Sequence, residues 1–302
     1  MKSLWRRTFN NWELYALFAL PLLYIIVFQY IPIYGIQIAF KQFSPVKGIT
    51  GSPWIGFDHF IRFFESYEFW RVMKNTLELS LYHLIAGFPF PILLALSLNY
   101  VMNQRFKKFV QMVTYAPHFI SAVVMVGIML VALEPRGPIN ALLQAVGITP
   151  VHFMAEASWF KSIYVWSDIW QNIGYSCIIY LAALSGVSPS LHEAAVMDGA
   201  SKLRRIWHID LPGIMPVAII LLILSMGSIL NAGFEKVLLM QTPLNMESAE
   251  VIDTYVYKVG LVSALPNYSY AAAIGLFKSV VAFILLITVN YTAKRIGNES
   301  LW

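Results

Sequence analysis

The sequence is poor in charged residues and in cysteine. Only 12% of its 302 residues are Asp, Glu, Lys or Arg, whereas 58% are hydrophobic, and soluble proteins carry about 25% charged residues. The single cysteine, Cys177, lies in an apolar stretch, so this chain alone builds neither a disulfide framework nor a thiolate metal cluster. These shortages favour one all-α integral membrane domain over residues 1–302 and exclude a soluble domain.

Motifs for nucleotide binding and for catalysis are also missing. The sequence has no G-x-x-x-x-G-K-[ST] phosphate loop, and its six histidines show no H-E-x-x-H spacing. No serine or cysteine stands in a nucleophile motif. We therefore predict that the chain is not an enzyme, holds no cofactor or metal, and leaves any nucleotide to a partner. The net charge of +5 comes from short basic loops beside apolar runs, which membrane topology explains better than nucleic-acid binding.

Long apolar runs recur along the whole sequence. A membrane span needs about 20 mostly apolar residues, and six runs qualify: Leu14 to Phe40, Leu77 to Val101, Phe109 to Leu133, Phe160 to Val187, Gly213 to Phe234, and Tyr270 to Tyr291. Prolines and glycines inside these runs are predicted to mark kinks rather than breaks: Pro21, Pro32, Gly87, Pro89, Pro91, Pro117, Gly227 and Gly233. They fit either irregular packing or a pathway that moves.

The short loops on one side of the six spans are basic. Eleven of the chain's 21 basic residues would lie there with both termini: Lys2, Arg6, Arg7, Arg105, Lys107, Lys108, Lys202, Arg204, Arg205, Lys294 and Arg295. The opposite connections are longer and carry acidic Glu247, Glu250 and Asp253. Because loops rich in Lys and Arg stay inside, the termini are predicted to be cytoplasmic, in a bacterial cell membrane.

A charged segment separates the fourth and fifth runs and reads HEAAVMDGASKLRRIWHIDLPGIMP, residues 192–216. As one helix it would align Val196, Ala200, Leu203 and Trp207 on an apolar face. Gly199 interrupts it, which predicts two short helices meeting at a bend. The segment is either a helix on the anionic membrane surface or a fit for a protein groove. The acidic residues near the start of the segment and the glycine bend favour binding in a protein groove.

Several residues of this segment carry a family resemblance. They are Glu193, Ala194, Ala195, Asp198, Gly199, Ala200, Ile209, Leu211, Pro212 and Pro216. Their order and spacing resemble the EAA loop of permease subunits of binding-protein-dependent ABC importers. Carbohydrate-type members often have phenylalanine where this chain has Ile206. The six runs and the stretch GFEKVLLMQTPLN, residues 233–245, are similar to carbohydrate permeases of Gram-positive bacteria, in particular those for complex oligosaccharides.

The resemblance implies a type I importer permease fold with its core over residues 72–291. It makes the segment at 192–216 a coupling helix for a cytoplasmic ATPase. The residues it assigns to that contact are Glu193, Ala194, Ala195, Asp198, Gly199, Ala200, Leu203, Ile206, Trp207, Leu211 and Pro212. The expected partners are an ATPase dimer that binds ATP and Mg²⁺, a second permease forming a heterodimer, an extracellular lipoprotein that binds the solute, and membrane lipid.

Polar and aromatic residues inside the runs are candidates for the solute path, because burying such groups in lipid is costly. The fourth run supplies most of them; the full set is Asp168, Trp170, Gln171, Asn172, Tyr175, Tyr115, His118 and Asn231. Asp168 and Asn172 share one helix face. Trp166 and Trp170 fit an aromatic belt as well as a pocket. The set suits a saccharide, whose hydroxyls require hydrogen bonds. Two alternatives are another small solute and, less favoured, an ATP-independent channel.

Overall fold

The computed structural model describes residues Trp12–Gly297, and this part of the chain is helical, with one isolated β-bridge between Lys41 and Trp54 and no strand. Five helical segments are long and apolar enough to cross a membrane. A sixth is formed by Ala157–Ser185 with Pro189–Met197, which are bent by 72° at a short break. The predicted all-α fold with six spans is therefore confirmed.

The chain divides into two compact units, and the first comprises the described part of Met1–Glu65 together with Val256–Phe277. Its helices are α1 (Trp12–Ile25), α2 (Ile31–Ile33), α3 (Gly48–Gly51) and α4 (Asp58–Glu65). A π turn at Ile26–Tyr30 and a 3-10 segment at Tyr34–Phe40 extend α1 and α2 into one helical run. α1 buries none of its side chains. After this run Phe40 packs against Phe57 and Phe60, which fixes the loop that leads into α4.

The second unit comprises Ser66–Tyr255 and the described part of Lys278–Trp302. It contains α5 (Tyr67–Gly87), α6 (Pro89–Asn99), α7 (Gln104–Tyr115), α8 (Ala122–Leu133), α9 (Pro138–Ala145), α10 (Ala157–Ser185), α11 (Pro189–Met197), α12 (Lys202–Arg205), α13 (Leu211–Gly227), α14 (Phe234–Met240) and α15 (Met246–Ala249). α16 (Ile252–Tyr257) and α17 (Tyr268–Gly297) have residues in both units. A π turn at Ile206–Asp210 joins α12 to α13, and another, at Lys258–Val262, belongs to the first unit.

Helix α10 is the centre of the second unit because it contributes to both of its apolar cores. Its first half places Phe160 and Ile169 in a core with α5, α8 and α14. Its second half places Cys177 and Leu184 in a core with α6 and α13. Cys177 is fully buried there as a free thiol. Several polar residues of α10 lie near its middle, where it passes from the first core to the second.

The structure distinguishes kinks from breaks among the predicted irregular positions. Phe88 alone separates α5 from α6 and keeps a helical conformation, so the second span is continuous past its glycine and prolines. At Pro117 the prediction of a kink is wrong. A 3-10 turn at Ala116–Phe119 ends α7, Ile120 and Ser121 are extended, and the Ser121 hydroxyl caps α8 by accepting from the Val124 N–H. Proline removes a helical N–H, and a serine cap nearby favours a new helix start.

The kink prediction is also wrong at Gly227 and Gly233. α13 ends at Gly227, and α14 begins after Gly233, whose φ of 59° is left-handed. A side chain at Gly233 would in addition collide with the Tyr164 hydroxyl. Only glycine combines that conformation with so close an approach. The fifth span therefore ends in an irregular turn, and at its other end it begins at Lys202, ahead of the predicted Gly213.

Candidate functional site

A cavity of about 530 Å³ lies between the second, fourth and fifth spans of the second unit. Its walls come from α5 and α6, from the middle of α10, and from α13 with the turn that follows Gly227. A volume of this size lies within the range of pockets that hold small organic ligands, about 300–1,000 Å³. The breaks that the sequence did not predict thus shape one wall of the cavity.

Asp168 of α10 is the charged centre of the cavity wall. Its Oδ2 accepts hydrogen bonds from His83 Nε2 at 2.8 Å and from Asn172 Nδ2 at 3.2 Å. Its Oδ1 faces Lys236 Nζ at 3.3 Å. Lys236 itself is buried and lies 5.1 Å from the centre of the Tyr164 ring. A carboxylate in an apolar bundle requires this kind of pairing because an uncompensated charge there is costly.

The hydrogen-bond network continues from Asn172 on the side away from Asp168. Since the Asn172 amide donates to Asp168, its Oδ1 is free to accept, and His118 Nδ1 lies 2.9 Å away as the donor. The His118 ring stacks on Tyr175, with centroids 3.9 Å apart and the planes 4° from parallel. Asn172 and Tyr175 both line the cavity. The prediction that Asp168 and Asn172 share a face is confirmed, and that face points into the bundle.

Ser80 is a cavity-lining residue that the sequence analysis did not single out. Its Oγ is buried and has no hydrogen-bond partner among the described residues. Buried hydroxyls are nearly always paired, so a lone one at a cavity wall is suited to a ligand. A serine in an apolar run gives no signal by itself, because serine in a helix commonly bonds to its own backbone.

The remaining predicted path residues lie in four different environments. Asn231 lines the cavity from the turn after α13. Gln171 is buried, and its amide donates to the Ile120 carbonyl where the third run breaks, at 2.8 Å. Trp170 is 53% exposed and lies outside the cavity lining. Tyr115 packs on the second apolar core and contacts the Cys177 thiol. The cavity therefore brings together four of the eight predicted residues, with His118 joined to them through Asn172.

Lys236 is a second site residue that sequence reasoning missed. It lies after the predicted fifth span, in the short helix α14 that only the break at Gly233 creates. The available signal was its place, beside Glu235, in a mostly apolar stretch, FEKVLLM. Two further ionisable residues lie within the apolar runs and are paired as well: Glu78 with Lys161, and Lys278 with Asp253.

The charged segment at 192–216 forms two helices joined by a bend, as predicted. Gly199 has φ of 74°, and the Gly199 and Ala200 N–H groups donate to the Val196 and Ala195 carbonyls, closing the end of α11. This is the Schellman pattern, in which a left-handed glycine ends a helix. One continuous helix would have aligned residues 196, 200, 203 and 207 in an apolar stripe. No such stripe forms, because the bend separates Val196 of α11 from Leu203 of α12.

The residues with the EAA resemblance follow this geometry closely. α11 holds Glu193, Ala194 and Ala195; the bend holds Asp198, Gly199 and Ala200; α12 and the π turn hold Leu203, Ile206 and Trp207; and α13 starts with Leu211 and Pro212. Ile206 and Leu211 pack against the second apolar core. Apolar side chains on the segment nevertheless remain exposed, with Met197 at 87%, Leu203 at 78% and Trp207 at 67%. Exposed apolar groups close together in sequence make this segment a candidate interaction surface.

Several known proteins are similar to this chain in sequence and fold along nearly its whole length. Protein LplB of Bacillus subtilis is 44% identical over 294 residues, covering 97% of this chain and 92% of that protein. The polygalacturonan/rhamnogalacturonan transport system permease protein YteP of the same organism is 45% identical, covering 96% and 90%. A chain of a bacterial alginate ABC transporter, solved in complex with an alginate pentasaccharide-bound periplasmic protein, superimposes with a TM-score of 0.90 at 39% identity and covers 98% of this chain and 99% of that one.

The family match covers most of the cavity wall and the whole bent segment. Residues 87–298 match the binding-protein-dependent transport system inner membrane component. That range includes α10 with Asp168 and the complete segment from α11 to α13. The chain therefore belongs to the family of inner membrane components of binding-protein-dependent transport systems, and it is a multi-pass permease of an ABC importer and not an enzyme.

Proposed function

We propose that the cavity around Asp168 is part of the path for an oligosaccharide. The observation that carries this is the combination of an apolar-walled cavity with the amide of Asn172, the ring of Tyr175 and the unpaired hydroxyl of Ser80. Sugars present apolar C–H faces and a rim of hydroxyls, which suit aromatic rings and small polar groups respectively. The relatives named for polygalacturonan, rhamnogalacturonan and alginate support a saccharide over another small solute.

Uptake is driven by a partner ATPase that docks on the exposed apolar groups of α11 and α12. The support is the surface of Met197, Leu203 and Trp207 beside a segment with the EAA spacing. ATP and Mg²⁺ are held by that partner. A second permease completes the path, and an extracellular binding protein delivers the sugar. A helix lodged in a moving ATPase would bias the spans between inward and outward openings as a rigid body.

The termini and the bend at Gly199 face the cytoplasm in this proposal. Single cysteines in a Cys177→Ala background test it with an impermeant thiol reagent on intact cells. Arg204 and Leu244 are both exposed, whereas Asn245 beside Leu244 is buried and would not report on accessibility. Cysteine at Leu244 should react and cysteine at Arg204 should be protected. Labelling at Arg204 from outside would rule out an ATPase docking surface there.

Reconstitution tests the saccharide and the energy source together. The permease, copurified with its ATPase and partner permease, would be placed in vesicles with the binding protein and offered alginate, galacturonate and neutral arabinose oligosaccharides. We expect at least one of them to enter only when ATP is present on the cytoplasmic side. Equal uptake without ATP would favour the channel alternative. ATP-dependent uptake of a non-saccharide solute alone would remove the sugar assignment.

A further inference from the structure

Asp210 joins three segments of the second unit at one fully buried carboxylate. It is the last residue of the π turn before α13, and none of its surface is exposed. Tyr100, which follows α6, donates its hydroxyl to Asp210 Oδ2 at 2.6 Å. His192 of α11 places Nε2 at 3.3 Å from the other oxygen, Oδ1. The second span, the fifth span and the EAA helix therefore meet at this side chain.

Burying the Asp210 carboxylate at this position is energetically costly. Its Oδ1 has no hydrogen bond among the described residues apart from the approach of His192. The Arg205 guanidinium lies 5.6 Å from the centre of the Tyr100 ring and supplies nearby positive charge. Replacing a buried ion with an apolar group is often neutral or stabilising, so an acid of this kind is poor evidence for stability. A role in positioning explains its presence better.

The resemblance to the EAA loop leaves this acid without a role. In the I-x-L-P part of that pattern Asp210 occupies the variable position, between Ile209 and Leu211. α11 has no buried residue, and non-helical links flank it at Gly186–Ser188 and at Asp198–Ser201. Its chain connections alone would let it turn about both links. His192, half-buried on its inner side, is the group of α11 that reaches Asp210.

We propose that Asp210 is a positioning residue that clamps α11, through His192, to the end of α6 at Tyr100 and to the start of α13. This rests on the proposed docking of an ATPase on α11. Movement of α11 is then delivered to the second and fifth spans, which form two walls of the cavity, and is not dissipated in the flanking links. Loss of the clamp uncouples ATP hydrolysis from uptake while leaving the docking surface in place.

The test measures ATP hydrolysed per sugar transported in the reconstituted full transporter. Tyr100→Phe, His192→Leu and Asp210→Asn should each raise that ratio by about tenfold, the size expected for losing one hydrogen bond to a charged group. His192→Gln keeps an N–H that reaches the carboxylate, so its ratio should stay within about twofold of the parent. Asp58→Asn, which removes an exposed acid from the first unit, is the matched control and should leave the ratio unchanged.

The outcomes separate the clamp from the proposed function. If the parent protein neither copurifies with an ATPase nor shows ATP-dependent uptake, the proposed function fails whatever the variants do. If the parent is active and the three variants bind the ATPase with the parental ratio, the clamp is overturned. Loss of ATPase binding in Asp210→Asn, with a parental ratio in Tyr100→Phe and His192→Leu, also overturns it, since the acid then serves only to fold the docking segment.

Discussion

The cavity and the bent segment of the second unit differ in which side chains they bury. The cavity region buries ionisable groups, whereas the bent segment exposes large apolar ones. In the cavity, ionisable side chains lie inside a membrane bundle and satisfy one another: Asp168 has partners on both oxygens. On the bent segment, large apolar side chains such as Met197 and Trp207 are exposed. The ionisable groups of the first region are paired within this chain, whereas the second region is the surface on which we propose that a partner ATPase docks.

This difference predicts different responses to mutation. When a polar network that lies wholly within one chain is broken, the cost appears in the stability of that chain. A docking surface carries little of the folding energy, so changes there alter activity and partner binding first. Each substitution below is chosen to separate stability from transport.

The largest effect is expected at the bend. Gly199→Val places a β-branched residue at φ of 74°, where a Cβ meets no neighbouring atom, so the penalty comes from the backbone conformation alone. Uptake and ATPase copurification should fall to background while the permease still inserts. Gly199→Asn is the control, because asparagine tolerates the left-handed region, and it should retain most of the uptake. Equal activity of the two variants would show that the left-handed bend is not needed for coupling.

The next largest effect is expected from breaking the ion pair between Asp168 and Lys236 at the cavity. Asp168→Asn leaves Lys236 buried without its counter-charge, which should lower the free energy of unfolding by about 3–5 kcal/mol. Lys236→Met in the same protein should restore much of that stability. Glu78→Gln removes a carboxylate that is 46% exposed and paired with Lys161, so it should cost under about 1 kcal/mol. Thermal unfolding in detergent compares the three, and equal losses would mean that burial does not set the cost.

Variants of Asn172 and its neighbour Gln171 distinguish a role in the cavity from a role in helix packing. Asn172→Ala removes the groups that bond to Asp168 and His118, and losing about 1–3 kcal/mol of hydrogen bonding should lower uptake roughly tenfold. Basal ATP hydrolysis should persist. Gln171→Ala loses a bond to the Ile120 carbonyl, so it should lower the unfolding temperature while uptake per folded molecule is kept. Unchanged uptake in Asn172→Ala would make the polar stripe a packing feature.

The smallest effect concerns the first unit and depends on pH. Burial lowers the pKa of His59 below its usual value, and Arg62 acts in the same direction, while the Lys41 carbonyl and Asp58 oppose it. The folded state therefore resists protonation more than the unfolded state does. Stability is full above the unfolded pKa of about 6.5 and declines as pH falls below it. His59→Gln should flatten the pH dependence of the unfolding temperature between pH 7 and pH 5, and an unaltered slope would assign it to other groups.

Local sequence signals predicted those features that depend on neighbouring residues. The bend at Gly199 is one, because a left-handed helix end is a property of a few consecutive residues. The shared face of Asp168 and Asn172 is another, since a spacing of four residues fixes it within α10. The kink assignments at Pro117 and Gly227 were wrong because a kink and a break begin with the same residue. The serine cap, the extended residues and the close contact of Gly233 with Tyr164 decide between them.

The sequence by itself determined that this chain is a helical membrane protein with a glycine-bent segment, because apolar run length and local spacing are read along one chain. Its identification as a permease rested on the resemblance of that segment to the EAA loop. Only the tertiary structure decided which residues meet. Lys236 reaches Asp168 across 68 positions, and Tyr100 reaches Asp210 across 110. A charge in lipid must find a partner, but the chain offers many opposite charges, and only the packing of the spans around α10 selects one of them.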